Sequence, residues 1–121
     1  MKMLYILISF LFISLIINFS FVSRGEVTSS LPGKDLFYNS KGKYGSCNHC
    51  HLNGLSSAGR WNFETQSIDP EEGRKIPVLK GVRKRKDKEQ IERSIQLMRK
   101  LFDFKLTDEQ ISQLAEYLGT L

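Results

Sequence analysis

The sequence predicts a small all-α domain of three or more helices joined by long loops. Two stretches have the form of capped amphipathic helices: each begins with a capping box, at residues 87–90 and 107–110, and continues with apolar residues at helical spacing. No stretch favours the pairing of strands, which would show as an alternation of apolar and polar residues. The length of 121 residues limits the chain to one domain.

The first 25 residues predict an export signal that is not part of this domain. Lys2 is followed by an almost unbroken apolar run over residues 3–19, and the small residues Ser23 and Gly25 close the segment. This order is typical of a secretory signal peptide, here with cleavage after Gly25. The alternative is an uncleaved membrane anchor, because roughly 17 apolar residues lie at the lower limit for spanning a bilayer. In both cases the rest of the chain is expected on the periplasmic side of a membrane.

After the export signal, the sequence predicts a flexible lead-in over residues 26–32 and the folded domain over residues 33–121. A Pro-Gly pair opens a short helix that we expect over residues 34–39. Residues 52–75 contain glycines, serines and an Asp-Pro pair without helical or strand periodicity, so they predict a long loop. A loop of this length in a small domain is usually functional or wrapped around something.

Two longer helices are predicted in the second half of the chain. Asp87 and Thr107 are the expected N-cap residues, because their side chains can accept hydrogen bonds from the first helical turn. Each helix then has an apolar face with three- and four-residue spacing. These faces are formed by Ile91, Ile95 and Met98 in the first helix, and by Ile111, Leu114, Ala115 and Leu118 in the second.

The pentapeptide Cys47-Asn48-His49-Cys50-His51 is the strongest chemical signal in the chain. It is a C-x-x-C-H string, which is typical of covalent c-type haem attachment. Two thiols at this spacing suit thioether bonds to the two vinyl groups of a porphyrin, and His51 suits the proximal iron ligand. A thiol–disulfide redox pair and a structural zinc site are the alternatives. A redox pair normally belongs to a domain of alternating strands and helices, and zinc usually takes its ligands from two separated segments.

The iron of a haem held in this way has a second axial position, and the sequence offers few candidate ligands for it. His49 lies between the two attachment cysteines and cannot reach the opposite haem face, and Met1 and Met3 belong to the export signal. Met98 is the remaining methionine and is therefore the candidate distal ligand. The alternatives are that Met98 only packs in the core and the position is open, or that a lysine or another donor occupies it.

Residues 33–121 resemble the class I monohaem cytochromes c, which are small bacterial electron carriers. The resemblance rests on the haem motif, on Gly33 and Phe37 in the first helix, and on Pro77 in the segment after the long loop. The start and the body of the last helix also match the family pattern, at Leu106-Thr107-Asp108-Glu109-Gln110 and at Leu114-Ala115-Glu116-Tyr117-Leu118.

The resemblance implies a fold in which the first and last helices cross. Gly33 and Phe37 would then pack against Leu114 and Tyr117. It also implies that the carbonyl of Pro77 accepts a hydrogen bond from the proximal histidine.

The chain departs from the family pattern at two places. Met98 lies on a predicted helix, whereas the family methionine often precedes a proline in an irregular loop. The segment between the haem motif and Pro77 is longer than in the smallest members, and it carries Arg60 and Trp61. The resemblance implies that these two side chains contact the haem propionates, and simple packing is the alternative for Trp61.

The sequence therefore predicts a periplasmic electron-transfer protein, not an enzyme, with one haem c whose iron cycles between Fe(II) and Fe(III). A haem protein with an open distal site is the alternative; it would bind a diatomic gas or serve as a subunit of a catalytic redox complex.

Charge gives limited information about partners. The formal net charge of +5 falls to +3 without the two basic residues of the export signal, Lys2 and Arg24, so we do not expect a nucleic-acid partner. The basic run from Lys80 to Lys88 would steer acidic redox proteins to the haem edge, or it is simply a solvated loop. Membrane contact is expected only if the export signal is not cleaved.

Overall fold

The computed structural model describes residues 31–121, so the predicted export signal and most of the lead-in lie outside the described residues. This part of the chain forms four α-helices: α1 over Pro32–Asn39, α2 over Cys47–Cys50, α3 over Lys88–Phe102 and α4 over Asp108–Leu118. It also forms the strands β1 over Arg60–Asn62, β2 over Ser67–Asp69 and β3 over Arg74–Lys75, with 3-10 turns at Leu52–Gly54 and Val82–Lys84. Within these residues no helix is both long and apolar enough to span a bilayer.

Both predicted capping boxes are confirmed. At α3 the Asp87 carboxylate accepts a hydrogen bond from the Gln90 backbone N–H at 2.8 Å, and the Gln90 side chain accepts one from the Asp87 N–H at 3.0 Å. Thr107 and Gln110 make the same reciprocal pair at α4. The caps satisfy backbone donors that a helix N-terminus leaves without partners, which explains why both helices begin where the sequence indicated.

The first helix begins earlier than predicted. Pro32, which we assigned to the flexible lead-in, is the first residue of α1, and the Leu31 carbonyl accepts a hydrogen bond from the Lys34 N–H at 2.7 Å. Proline is favoured at this position because the first N–H of a helix has no intrahelical acceptor to lose.

The prediction of a purely helical domain was wrong, because residues 52–75 contain a three-stranded antiparallel sheet in the order β2-β1-β3. Trp61 of the central strand faces Ile68 of β2 and Arg74 of β3. Gly73, with φ of +100°, allows β3 to approach β1 closely: a Cβ at this position would lie 2.6 Å from the Trp61 carbonyl carbon. Strands of two or three residues are too short for an alternating pattern to be recognised in the sequence.

The first and last helices cross as the family resemblance implied. An added Cβ on Gly33 would overlap the Gln113 carbonyl and lie 2.8 Å from the Cβ of Tyr117, so the α1 and α4 backbones meet closely at the glycine. Phe37 is fully buried, and its ring centroid lies 5.7 Å from that of Tyr117. Leu114 is buried in the same core cluster.

The hydrophobic core joins α1, α3 and α4 with the segments that flank them. The predicted faces of the last two helices supply much of it, although Met98 is only half-buried and does not belong to this cluster. The core consists of Phe37, Val82, Ile91, Ile95, Phe104, Leu106, Ile111, Leu114, Ala115, Tyr117 and Leu118.

Replacement of Gly33 by Ala should destabilise the domain by about 1–3 kcal/mol, because the new methyl group has no room between α1 and α4. The free energy of unfolding from a denaturant titration measures this effect. Lys34→Ala, an exposed change on the same helix, is the matched control. Equal free energies of unfolding for the Gly33 variant and the parent protein would contradict this account of the helix crossing.

Candidate functional site

The C-x-x-C-H residues lie on α2 and at its C-terminal end. Cys47 and Cys50 are one helical turn apart, which places them on the same side of the helix, and both are free thiols. His51 is the C-cap residue, and its backbone N–H donates to the Cys47 carbonyl at 3.0 Å. The local fold of α2 therefore places two thiols and one imidazole on a single helical turn and its C-cap.

These three side chains line a cavity of about 400 Å³ between the helices and the sheet. That volume lies in the range of roughly 300–1,000 Å³ that is usual for small-molecule and cofactor sites. The cavity also gathers side chains from the sheet, from the segment after β3 and from α3. The predicted site residues that line it are Cys47, Cys50, His51, Trp61, Pro77 and Met98.

The imidazole of His51 is held in one orientation. Its Nδ1 lies 2.9 Å from the Pro77 carbonyl oxygen, and since a carbonyl can only accept, Nδ1 is the protonated donor. The hydrogen bond that the family resemblance implied is thus present. Burial lowers the pKa of His51, an effect that the Pro77 carbonyl partly offsets, so the neutral ring is favoured. Nε2 is then the nitrogen that remains for a metal.

Burial raises the pKa of both the Cys47 and Cys50 thiols, and a hydrogen bond with Ser40 only partly offsets this for Cys47. Redox-active C-x-x-C pairs show the opposite property, because a lowered pKa supplies the thiolate that attacks a disulfide. The environment of α2 therefore does not favour thiol–disulfide exchange.

The sheet carries Trp61 to the cavity. Trp61 is 6 % exposed, and its ring centroid lies 5.0 Å from that of Tyr44 and 5.1 Å from that of Phe102. All three rings line the cavity and pack edge to face or tilted, which is a favourable arrangement for aromatic side chains. Trp61 therefore packs against two other aromatic rings, and packing is the alternative role that the sequence left open for it.

Helix α3 presents one continuous face to the cavity, and Met98 belongs to it. The lining residues on this helix recur at three- and four-residue spacing, as expected for one side of a helix: Ile91, Ser94, Ile95, Leu97, Met98, Leu101 and Phe102. The structure therefore brings Met98 and His51 to the same cavity, although they lie on different elements.

Arg60 is placed differently from the other predicted residues. Its guanidinium donates to the Gly73 carbonyl at 2.9 Å, across the sheet, and Arg60 is not among the described residues that line the cavity. The cations that do line the cavity are Arg74, Lys75, Arg85 and Lys86. Sequence reasoning missed the first two because it treated residues 52–75 as a loop. Their position directly before the Pro77 segment is the signal that would have found them.

The cavity opens to solvent past large apolar side chains. Four large apolar residues of its lining are exposed: Phe63 by 53 %, Val78 by 38 %, Leu97 by 51 % and Leu101 by 46 %. A cluster of exposed apolar residues at a cavity mouth is typical of a ligand-binding site or an interaction surface. The cavity thus combines apolar walls, an open apolar mouth and nearby cations.

Apolar walls with cations beside them have the chemical character that an apolar macrocycle with carboxylate arms would require. Within residues 31–121 no three His, Cys, Asp or Glu side chains come together as a metal site made of protein ligands would require. A porphyrin does not need such a group, because it supplies four ring nitrogens to the iron and leaves only the axial positions to the protein. One imidazole beside two thiols is a sufficient donor set for covalently attached haem.

The chain matches no protein-family model, no curated protein and no solved structure. Its resemblance to class I cytochromes c therefore depends on the residues and contacts described above.

In protein prepared without haem, both thiols should react with iodoacetamide more slowly than a cysteine in an unfolded peptide. Near pH 8, just below the ordinary thiol pKa of about 8.5, a raised pKa leaves less of the reactive thiolate. Mass spectrometry of alkylated samples taken over time measures the two rates. The same protein in denaturant is the control, and faster reaction in the folded state would indicate an activated redox pair instead.

Proposed function

We propose that this chain attaches one haem c covalently and functions as an electron carrier. The observation that carries the proposal is that one apolar cavity is lined by both thiols of the C-x-x-C-H string and by the His51 imidazole. Nδ1 of this imidazole donates a hydrogen bond to the Pro77 carbonyl. Cys47 and Cys50 would form the two thioether bonds, and His51 would provide the proximal ligand. The bound haem would supply a one-electron Fe(II)/Fe(III) couple.

The protein residues would set the properties of that couple. The hydrogen bond from His51 to Pro77 holds the ring orientation and increases the electron density at Nε2, which would favour the more highly charged ferric state of a bound haem. Apolar walls that include Trp61, Ile95 and Phe102 would keep water from the bound haem and would disfavour the ferric state. The reduction potential would reflect the balance of these two effects.

Met98 is the proposed distal ligand. It lines the same cavity as His51, and a thioether is a common second axial donor in electron-carrying haem proteins. Two axial protein ligands would leave no position for a substrate, which suits a carrier rather than an enzyme.

A haem protein with an open distal position is the second candidate, and one observation favours it. Met98 lies inside the regular helix α3 and continues the face of Ile91 and Ile95, both of which are buried in the core. A methionine with this placement can form part of the cavity wall without ligating a metal. The protein would then bind a diatomic gas or contribute its haem to a larger catalytic redox complex.

The cations at the cavity suggest how the propionates and partner proteins are bound. Arg74 and Lys75 are our candidates to pair with the propionates in place of Arg60, whose guanidinium is bonded to the Gly73 carbonyl. Trp61 would then contribute to the cavity wall. Basic residues beside an apolar mouth are suited to docking an acidic redox protein, because charge steers the encounter and apolar contact follows.

We also propose that the protein acts in the periplasm. The predicted export signal supports this location, since it would deliver the chain to the compartment that suits covalent haem attachment. Cleavage of that signal would give a mobile carrier, and retention would give one tethered to the membrane.

Expression in a bacterial host that exports proteins and matures c-type cytochromes should yield a chain that carries one haem. The expected mass is that of residues 26–121 plus one haem that remains attached after denaturation, with a visible spectrum that changes on reduction. The double variant Cys47→Ala, Cys50→Ala should carry none, because both thioethers are lost. Ser56→Ala, an exposed change just after the motif, is the control. A bare polypeptide mass from a host that matures a reference cytochrome would contradict the proposal.

Replacement of Met98 by Ala should remove the weak long-wavelength band that methionine sulfur gives to a ferric haem, and should allow the reduced protein to bind CO rapidly. Visible spectra and CO mixing measure both effects, and Gln96→Ala on the exposed side of α3 is the matched control. A parent protein that already binds CO rapidly and lacks the band would favour the open-site candidate, with Met98 in a packing role.

A further inference from the structure

We infer that Arg85 is a positioning residue for the proximal histidine, because it fixes the backbone segment that directs the Pro77 carbonyl toward His51. The hydrogen-bonding part of this inference stands on the geometry alone. Its consequence for the iron rests on the proposed function.

The segment from Ile76 to Leu79 connects β3 to the 3-10 turn at Val82–Lys84 and lies outside the sheet. Its first residue is well fixed: the Ile76 N–H donates to the Gly59 carbonyl at 3.0 Å, and the Ile76 side chain is buried. Pro77 has no N–H and can make no such bond of its own. The position of its carbonyl therefore depends on what holds the residues that follow.

Arg85 supplies that second point of attachment. Its Nη2 donates to the Val78 carbonyl at 2.9 Å, and its Nη1 donates to the Lys80 carbonyl at 2.9 Å. A planar guanidinium can hold two carbonyls at once in a fixed geometry, whereas a lysine ammonium is a single point charge on a flexible stem. Pro77 thus lies between one backbone tether at Ile76 and one side-chain tether at Val78.

The turn after Lys80 places Arg85 where its side chain can contact the Val78 and Lys80 carbonyls. Gly81 adopts φ of +67°, which is a left-handed conformation, and its N–H donates to the Leu121 carbonyl at 2.8 Å. The chain reverses there, and the Arg85 N–H donates to the Val82 carbonyl at 3.0 Å. Arg85 is consequently anchored through its own backbone as well as through its side chain.

Loss of the two side-chain bonds should weaken the hydrogen bond from His51. With the Val78 carbonyl released, the Pro77 carbonyl is less firmly held, and Nδ1 would spend more time exposed to water. A weaker bond reduces the electron density at Nε2, destabilises the ferric state and raises the reduction potential. Removal of a nearby positive charge alone would act in the opposite direction, because it would stabilise the ferric state and lower the potential.

The protein isolated from the bacterial host that matures c-type cytochromes provides the test, with the variants Arg85→Lys, Arg85→Ala and Lys84→Ala. Arg85→Lys keeps the positive charge but removes the planar guanidinium that holds the two carbonyls. Lys84→Ala removes a charge next to it, and within the described residues the Lys84 side chain makes no hydrogen bond to residues 76–80. Nitrogen-15 NMR gives the solvent-exchange rate of the His51 Nδ1 proton, and voltammetry gives the reduction potential.

We expect Arg85→Lys and Arg85→Ala to raise the exchange rate by at least about fivefold, the factor that corresponds to one ordinary hydrogen bond. Arg85→Lys should also raise the reduction potential, whereas Lys84→Ala should leave the exchange rate unchanged. Exchange rates equal to that of the parent in both folded Arg85 variants, or an equal increase in Lys84→Ala, would overturn the inference.

The exchange measurement also separates this inference from the proposed function. If the isolated chain carries no haem, its mass refutes the proposed function, while the exchange rates still decide whether Arg85 positions His51. If Arg85→Ala does not fold, the charge-conserving Arg85→Lys variant alone supplies the comparison.

Discussion

The candidate site depends on one hydrogen bond, from Nδ1 of His51 to the Pro77 carbonyl, which joins two segments that are far apart in the chain. It fixes which imidazole nitrogen faces the cavity, and it ties the helix with the two thiols to the segment after the sheet. That segment is located by the sheet itself, because Gly59 precedes β1 and accepts from the Ile76 N–H directly after β3. The small sheet is thus part of the support of the histidine.

The hydrophobic core explains why the cavity exists. Helices α1 and α4 meet backbone to backbone at Gly33, and this close contact fills one side of the domain with side chains such as Phe37 and Leu114. On the side of α2 and the sheet, the apolar residues face a cavity of about 400 Å³. Small domains bury a limited apolar surface and often depend on a cofactor for stability. A haem in the cavity would cover the exposed rings and methyl groups at its mouth and would complete the core.

Local signals explain which parts of this structure could be predicted. The helices α3 and α4 were predicted from Asp87 and Thr107 because a capping box and an apolar stripe are both encoded within a few residues. The sheet was not predicted, because its strands have only two or three residues, which is too few for an alternating pattern of apolar and polar side chains. The same cause accounts for Arg60: its chemistry was visible in the sequence, but its direction depends on a strand pairing that was not. The resemblance to a family supplied the contact between His51 and Pro77, which no local pattern contains.

The position of Met98 within α3 links the distal side of the site to the hydrophobic core. The helix is capped at Asp87, and Ile91 and Ile95 on the same face are buried among the residues of α1 and α4. Movement of Met98 toward or away from an iron would therefore require a new side-chain rotamer or a displacement of the whole helix, because well-packed side chains do not shift freely. In a loop the same residue could adjust by backbone rotation. In the proposed haem protein, the packing of α3 would therefore decide between a closed electron carrier and an open site, and substitutions at Ile91 or Ile95 would act on Met98 through the helix that they anchor.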